Sequence, residues 1–487
     1  MTWNQKIKPL LRALIWLSFF PPWGCSDSSE SSSPDTSPED TGTIQSTDSD
    51  TDTGTAQSPE TDSSADSATA DSGETDTNSD ENPFANGNFC PALDPPTGNV
   101  TRVTPDDTPN LRGIIAAART GDTILFESGT YPLNGDYIWI SIPGITLRSE
   151  SGNPEDVVLD GNYQTTEIIT VAASDCTVAE ISIQRASTHP IHVTSSDAGN
   201  TDNTRIYRVN IVDPGEQAIK INSHNSAMQV YADAGEVACS RIALTDAGRP
   251  HVNMSATPCY TGGVDAHQAR GWTIRDNTIS GFYCPNGLSE HAVHFWRGCR
   301  DTVVERNVLS NNARGVGFGL ATSGDPRTYS DHPCNADSSV YVGHVGGVVQ
   351  NNFIYATDSA LLGSESGFDC GICLWSACDA RVLHNSIVST GDMFSAIEWR
   401  FESTSATIAN NLATHVMRER DGATATVAGN MEQMGLENFA NAATGDLHLT
   451  PTSAAIDAGD SSVSGLPVSD IDGDLRGNSP DAGADER

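Results

Sequence analysis

The sequence predicts an all-β chain wound as a solenoid of stacked rungs with an N-terminal capping helix. Three observations carry that expectation. The first is a phrase that recurs from Val178 onward: apolar, two variable residues, Asn or a substitute, one variable residue, apolar. It reads Val178-x-x-Ile181-x-Ile183, Ile206-x-x-Val209-x-Ile211, Ile274-x-x-Asn277-x-Ile279 and Val304-x-x-Asn307-x-Leu309. Val349-x-x-Asn352-x-Ile354, Val382-x-x-Asn385-x-Ile387 and Ile408-x-x-Asn411 continue it. Repeats of roughly 20 to 45 residues, each a short strand with a polar turn residue at fixed phase, mark stacked rungs. An Asn stacked on its neighbours satisfies the turn backbone and bonds along the ladder.

The second observation is an alternating strand that follows in each rung: Ile191-His192-Val193, Ile219-Lys220-Ile221, Val264-Asp265-Ala266-His267 and Val293-His294-Phe295-Trp296. Val316-Gly317-Phe318-Gly319, Ile372-Cys373-Leu374-Trp375 and Ile397-Glu398-Trp399-Arg400 extend it. Strand side chains alternate faces, so the first and third members line the core and the others point outward. The third observation is spacing. From this strand to the next rung's repeat phrase is ten residues (264 to 274, 372 to 382) or eleven (293 to 304, 397 to 408). Insertions fall elsewhere, around 223–262, 321–345 and 355–370, as loops gathered on one side of a solenoid do.

The ends have different composition. Residues 1–24 carry Lys6 and Lys8 ahead of, and Arg12 near the start of, the apolar Leu10–Phe20 run, the layout of a secretory signal too short to span a bilayer. Cys25 follows a small residue and precedes a polar tract, which resembles a bacterial lipoprotein lipidation site and implies an outer-membrane lipid anchor. Residues 25–84 form an acidic, Ser/Thr-rich tether; 26–82 hold no Lys, Arg or aromatic residue, so the tract lacks the apolar surface to offset its chain entropy. Residues 85–487 suffice for one solenoid with a C-terminal capping segment.

The formal net charge is −38, sixteen of it from the tether. That balance argues against nucleic acid as a partner, because phosphates would be repelled. A polyanionic glycan would need local positive charge or a metal, and beyond the signal segment the only lysine is Lys220. Eleven cysteines in an exported chain are a disulfide count. With Cys25 lipidated, the remaining ten allow full pairing, with Cys239–Cys259 and Cys284–Cys299 the expected bridges.

The segment Leu111-Arg-Gly-Ile-Ile-Ala-Ala-Ala118, then Gly121-Asp-Thr-Ile-Leu-Phe126 and Gly129-Thr-Tyr131, reads as a helix capping the open end and entering the first rungs. Here the chain resembles the pectate-lyase-like right-handed parallel β-helix superfamily of secreted polysaccharide-active proteins. Asp446-Leu-His-Leu449, Ser453-Ala-Ala-Ile-Asp457-Ala-Gly459, Asp470-Ile-Asp-Gly-Asp474 and Pro480-Asp-Ala-Gly-Ala-Asp-Glu486 resemble the closing segment of bacterial surface β-helix proteins. The resemblance covers most of 100–487 and implies an extracellular polysaccharide as partner and a monomeric chain. The calcium-binding aspartate pattern and Arg-rich catalytic strand of pectate lyases are absent, so fold is implied rather than pectate as substrate.

Rungs lie about 4.8 Å apart, which stacks the outward residues into columns. The first reads His192, Lys220, Asp265, His294, Gly317, Cys373, Glu398, and the second Asn222, His267, Trp296, Gly319, Trp375, Arg400. Lys220, Asp265, His267 and His294 are therefore the candidate catalytic residues of one patch, with Glu290, His291 and Arg297 beside it. Gly317 and Gly319 would leave a bare step between Trp296 and Trp375, suited to a sugar chain stacking on aromatic faces. Trp296, Arg297, Trp375, Glu398 and Arg400 are the candidate substrate-binding residues.

β-Elimination from a uronic acid polymer needs a base for the C5 proton, a charge to neutralise the carboxylate and an acid for the leaving oxygen. Lys220 is one candidate base; His267 or His294 oriented by Asp265 is another. Glycoside hydrolysis needs carboxyls about 5–9.5 Å apart, whereas Asp265 and Glu398 are four rungs, about 19 Å, apart. A zinc site from Asp265, His267, His291 and His294 is chemically allowed, although a strand would turn His291 and His294 to opposite faces.

Asp470-x-Asp472-Gly-Asp474 places oxygen ligands as a calcium loop opens, which makes these three residues a candidate Ca2+ site. The expected function is an exported polysaccharide-active lyase on an acidic polymer. The alternative is a non-catalytic surface glycan-binding or adhesive lipoprotein. With the patch facing solvent, Lys220→Ala and His294→Ala should leave the melting temperature nearly unchanged.

Overall fold

The computed structural model describes residues 89–487 apart from 97, 225, 255–257, 321–325, 332 and 335–339. The signal segment, the tether and Cys25 lie outside the described residues. All described residues belong to one compact unit, 81–487. Among them no helix is long and apolar enough to cross a membrane.

Each rung contributes three short strands rather than the two read from the repeat, and these stack into three parallel sheets of 12, 10 and 10 strands. The chain is a right-handed parallel β-helix. The recurring phrase is two strands joined at its polar turn. Thr273–Arg275 belongs to the first sheet and Thr278–Ser280 to the next, with Asp276 and Asn277 turning the corner. Asp276, Arg306, Asn351, His384 and Asn410 occupy this corner with φ between 51° and 58°. That left-handed conformation costs a non-glycine residue about 1–2 kcal/mol.

The following Asn offsets the cost. Asn277, Asn307, Asn352, Asn385 and Asn411 each pass a side-chain N–H to the next amide oxygen at 2.8–3.0 Å, a ladder that ends on the oxygen of Asn430. The same oxygens accept backbone N–H groups, so no corner amide of this ladder is left unpaired.

The alternating strands form the third side of the rung. Ile219, Val264, Val293, Val316, Ile372 and Ile397 are fully buried in one continuous core. Leu111–Ala116 is the capping helix, and its Leu111 and Ile115 close the first rung. At the other end, Phe439–Asn441 and Asp446–Leu449 pair antiparallel. With Ala482 and Ala484 this segment covers Phe353, Val388 and Leu412.

The disulfides differ from the expected pairs: they are Cys90–Cys239, Cys259–Cys284, Cys334–Cys378 and Cys370–Cys373. Cys239 sits at a corner that faces the N-terminal strap, where Tyr207 and Arg208 donate to the Pro91 and Cys90 carbonyls. Cys259–Cys284 ties two insertions together. Cys176 and Cys299 remain free and buried; the Cys299 sulfur accepts the Ala269 N–H and lies 3.4 Å from the Ala266 carbonyl. Full pairing of ten cysteines therefore does not occur. Four disulfides fit an oxidising compartment.

Candidate functional site

Backbone pairing sets the two outward columns residue by residue. His192 pairs with Lys220, Lys220 with Asp265, Asp265 with His294, and His294 with Gly317. Gly317 pairs with Cys373 and Cys373 with Glu398. His267 pairs with Trp296, Gly319 with Trp375, and Trp375 with Arg400.

Three of the side chains meet at one oxygen. The Lys220 ammonium donates to Asp265 Oδ2, and His267 Nε2 lies 3.2 Å from the same oxygen and 3.1 Å from Lys220 Nζ. Trp296 Nε1 donates to Asp265 Oδ1 at 2.9 Å. His294 Nδ1 is 3.6 Å from Asp265 Oδ1 and 3.2 Å from Glu290 Oε2, while its Nε2 donates to the Gly319 carbonyl at 3.0 Å.

Outward does not mean exposed here. Insertions cover the patch, leaving Lys220 6%, Asp265 3% and His294 0% exposed. The expectation that Lys220→Ala and His294→Ala spare the melting temperature therefore fails: both truncations open cavities and strand buried partners.

Burial and neighbours set the charges. Burial opposes ionisation of Asp265, but Lys220 and His267 hold its carboxyl well below the usual carboxylate range. Burial equally opposes the Lys220 charge, and Asp265, with Tyr260 and Glu290, raises the ammonium above its ordinary value. Burial and the adjacent ammonium push His267 down to about 4, so it is neutral at neutral pH. Lys220 draws the Tyr260 phenol down while burial, Asp265, Glu290 and Glu216 push it up, and the balance is upward, to about 12. Lys220 is thus held as a cation and is no free base; His267 is the side chain of the cluster with a lone pair available.

The bare glycine step is filled. A Cβ at Gly317 would come within 2.7 Å of three ring atoms of His291, so Gly317 seats that imidazole and leaves no room for a polymer. Trp375 is buried, with Nε1 donating to Glu398 Oε1 at 2.6 Å, and Arg420 holds the other oxygen of the buried Glu398 at 3.0 Å. Neither offers a face to a sugar. Arg400 pairs with Asp421 and lies 4.5 Å from the Phe401 ring centroid. His291 and His294 converge, ring centroids 4.3 Å apart, because the strand begins only at Val293 and His291 lies in the loop before it.

A cleft of about 510 Å³ opens where the site strands end. Tyr231, Gln268, Arg270, Arg327 and Tyr329 line it, and Gln268 directly follows His267. The Arg327 guanidinium lies 3.7 Å from the Tyr231 ring centroid and is forked onto Asp233 at 2.8 and 2.9 Å. Its backbone N–H is bonded to the carbonyl of Arg297, the residue after Trp296. Sequence reasoning missed this cleft because Tyr231, Arg327 and Tyr329 come from insertions outside the repeat.

At the C-terminal end, Asp470 Oδ1 accepts the N–H groups of Asp472, Gly473 and Asp474, and Oδ2 accepts that of Glu486. This is a turn cap, and a cation at Asp470 would compete with four N–H donors. Asp472 instead pairs with His448 at 2.8 Å.

No family model matches the chain, and no curated protein does. Solved structures with a similar course of chain include a pectate lyase, Pel9A, at 14% identity and TM-score 0.46, covering 80% of this chain and 97% of its own. An alginate lyase from Paenibacillus gives 13% and 0.44, covering 67% and 99%. PfbA, a surface adhesin of Streptococcus pneumoniae, gives 11% and 0.37, covering 70% and 92%. At these values the likenesses bear on no chemistry.

Proposed function

We propose that the chain is an exported, lipid-anchored, monomeric β-helix protein that cleaves an acidic polysaccharide by β-elimination. The observation carrying this reading is the buried Lys220–Asp265–His267 cluster, placed where a cleft lined by two tyrosines and two arginines begins. Tyrosine faces suit sugar rings, and arginines suit carboxylates. In the proposed step, neutral His267 takes the C5 proton, and the C5–H electrons form the C4–C5 double bond. The C4–O bond breaks, and the leaving oxygen takes a proton from the Tyr260 phenol. Lys220 supplies positive charge towards the substrate carboxylate, and Asp265 orients Lys220 and His267. Asp470, Asp472 and Asp474, the candidate Ca2+ residues, take no part in this step.

The test is incubation with alginate, pectate, chondroitin and heparin, following both ultraviolet absorbance of the unsaturated uronate and new reducing ends. Elimination raises both, and hydrolysis raises only the second. The second reading, a surface glycan-binding or adhesive protein, is favoured by the pairing of Lys220 with Asp265 behind a closed surface. Retention on an immobilised polysaccharide without cleavage would decide for it.

A further inference from the structure

We propose that Glu290, His291 and His294 form a binding site for a divalent transition metal of the Zn2+ class, whether or not the protein cleaves a polysaccharide. One donor atom from each lies within 4.8 Å of the other two. Convergence alone is a weak argument, and three independent features strengthen it.

The first is unsatisfied bonding. His291 is fully buried, and neither of its ring nitrogens has a hydrogen-bond partner; Glu290 Oε2 and His294 Nδ1 are likewise unpaired by hydrogen bonds. A buried polar atom left this way costs about 1–3 kcal/mol, and a cation among the three would satisfy Glu290 Oε2, His294 Nδ1 and one of the two His291 ring nitrogens at once. The second is orientation. The His294 Nε2–H bond to the Gly319 carbonyl fixes the tautomer and turns the Nδ1 lone pair towards Glu290 Oε2. A backbone carbonyl accepting the far N–H is the usual outer support of a metal-ligating histidine. The third is the seat: Gly317 is the residue in the column that leaves room for the His291 ring.

The distances suit a four-coordinate ion. With ligand bonds of about 2.0–2.2 Å, tetrahedral donors stand about 3.3–3.6 Å apart. His294 Nδ1 to Glu290 Oε2 is 3.2 Å, and His291 Nδ1 to the same oxygen is 4.0 Å, which a small ring shift closes. Asp265 Oδ1, 3.6 Å from His294 Nδ1, or a water would take the fourth position. Two His, one Glu and an open position is the ligand count of a site that can act on a substrate rather than only brace the fold. Cys370 and Cys373 also approach His291, but joined as a disulfide they offer no thiolate. The Glu290 side chain, 26% exposed, gives the ion its way in.

The test uses the full chain with disulfides intact, stripped by chelator and titrated with Zn2+ by calorimetry, with the visible spectrum of Co2+ as a second readout. All variants carry His448→Ala, which removes the His448–Asp472–Asp485 group as a competing locus. The expected result is about one Zn2+ per chain and a four-coordinate Co2+ spectrum. Glu290→Gln should lower affinity tenfold or more and abolish that spectrum, with the urea midpoint retained. His294→Gln should do the same where it folds, and Glu290→Gln decides where it does not. No Zn2+ uptake in the parent, or undiminished uptake in Glu290→Gln, overturns the site. Neither result depends on lyase activity.

Discussion

Replacing Asp265 by Asn keeps the shape of the side chain and an oxygen for Trp296 Nε1, but removes the carboxylate bonded to the Lys220 ammonium. Both side chains are more than nine-tenths buried. At an effective dielectric of about 20, opposite charges about 4 Å apart attract by about 4 kcal/mol. Breaking a buried pair by removing one partner costs about 3–5 kcal/mol, since the other charge is left in a poor solvent. Asp265→Asn should therefore lose about 3–5 kcal/mol at neutral pH, read from urea unfolding followed by circular dichroism. Raising the pH should return part of the loss, because Lys220 can then shed its proton. Adding Lys220→Met should return most of it, because an apolar stem of similar length fits the same space. A loss below about 1 kcal/mol, or a double variant no more stable than Asp265→Asn, would refute the buried ion pair.

Other predictions concern pH, the strap and calcium. His267 is pushed down to about 4, and His189, His344 and His384 to about 3, from an unfolded value of 6.5, each chiefly by burial. Their contribution is complete above pH 6.5 and lost as pH falls through 4, because the unfolded chain then takes up protons the folded one cannot. Each should add a slope of up to about 1.4 kcal/mol per pH unit, checked by unfolding midpoints from pH 7 to pH 4. His448 runs the other way: its bonds to Asp472 and Asp446 raise it to about 9, so its contribution is present below 6.5 and fades as pH rises through 9. Cys90→Ser with Cys239→Ser should cost about 2–4 kcal/mol and raise amide exchange at residues 89–95 before the rungs. The filled Asp470 cap predicts that EGTA leaves the melting temperature unchanged, whereas Asp470→Ala lowers it; a fall with EGTA alone would place Ca2+ there after all.

The rungs were legible because their cause is local and repeated. A one-residue slip would have turned Lys220 and Asp265 inward, and alternation with isoleucine and valine on either side forbids it. The Asn ladder was legible for the same reason. The third strand of each rung was not, since the polar corner residue compresses two strands into one short phrase. The site was half legible. Lys220, Asp265, His267 and Trp296 share columns fixed by the repeat, and these are the side chains that touch. What covers them comes from insertions with no period: Tyr260, Glu290 and His291 close over the patch, and Tyr231 and Tyr329 shape the cleft. Trp375 and Glu398 are thus buried rather than exposed, and Lys220 is a paired cation rather than a free base. Disulfide pairing failed likewise, because Cys90 reaches Cys239 across 149 residues of sequence.

The proposed elimination depends on His267 acting as the base beside Lys220 and Asp265. Its most direct measurement is the rate of unsaturated uronate formation by the wild type and by His267→Asn, on whichever acidic polymer the wild type cleaves. A positioned general base contributes about 10²–10⁴-fold, so the variant should lose that much in kcat while polymer affinity holds. Wild-type turnover should fall on the acid side as His267 gains its proton. Full turnover by His267→Asn, or no unsaturated product from the wild type on any acidic polymer, would contradict it.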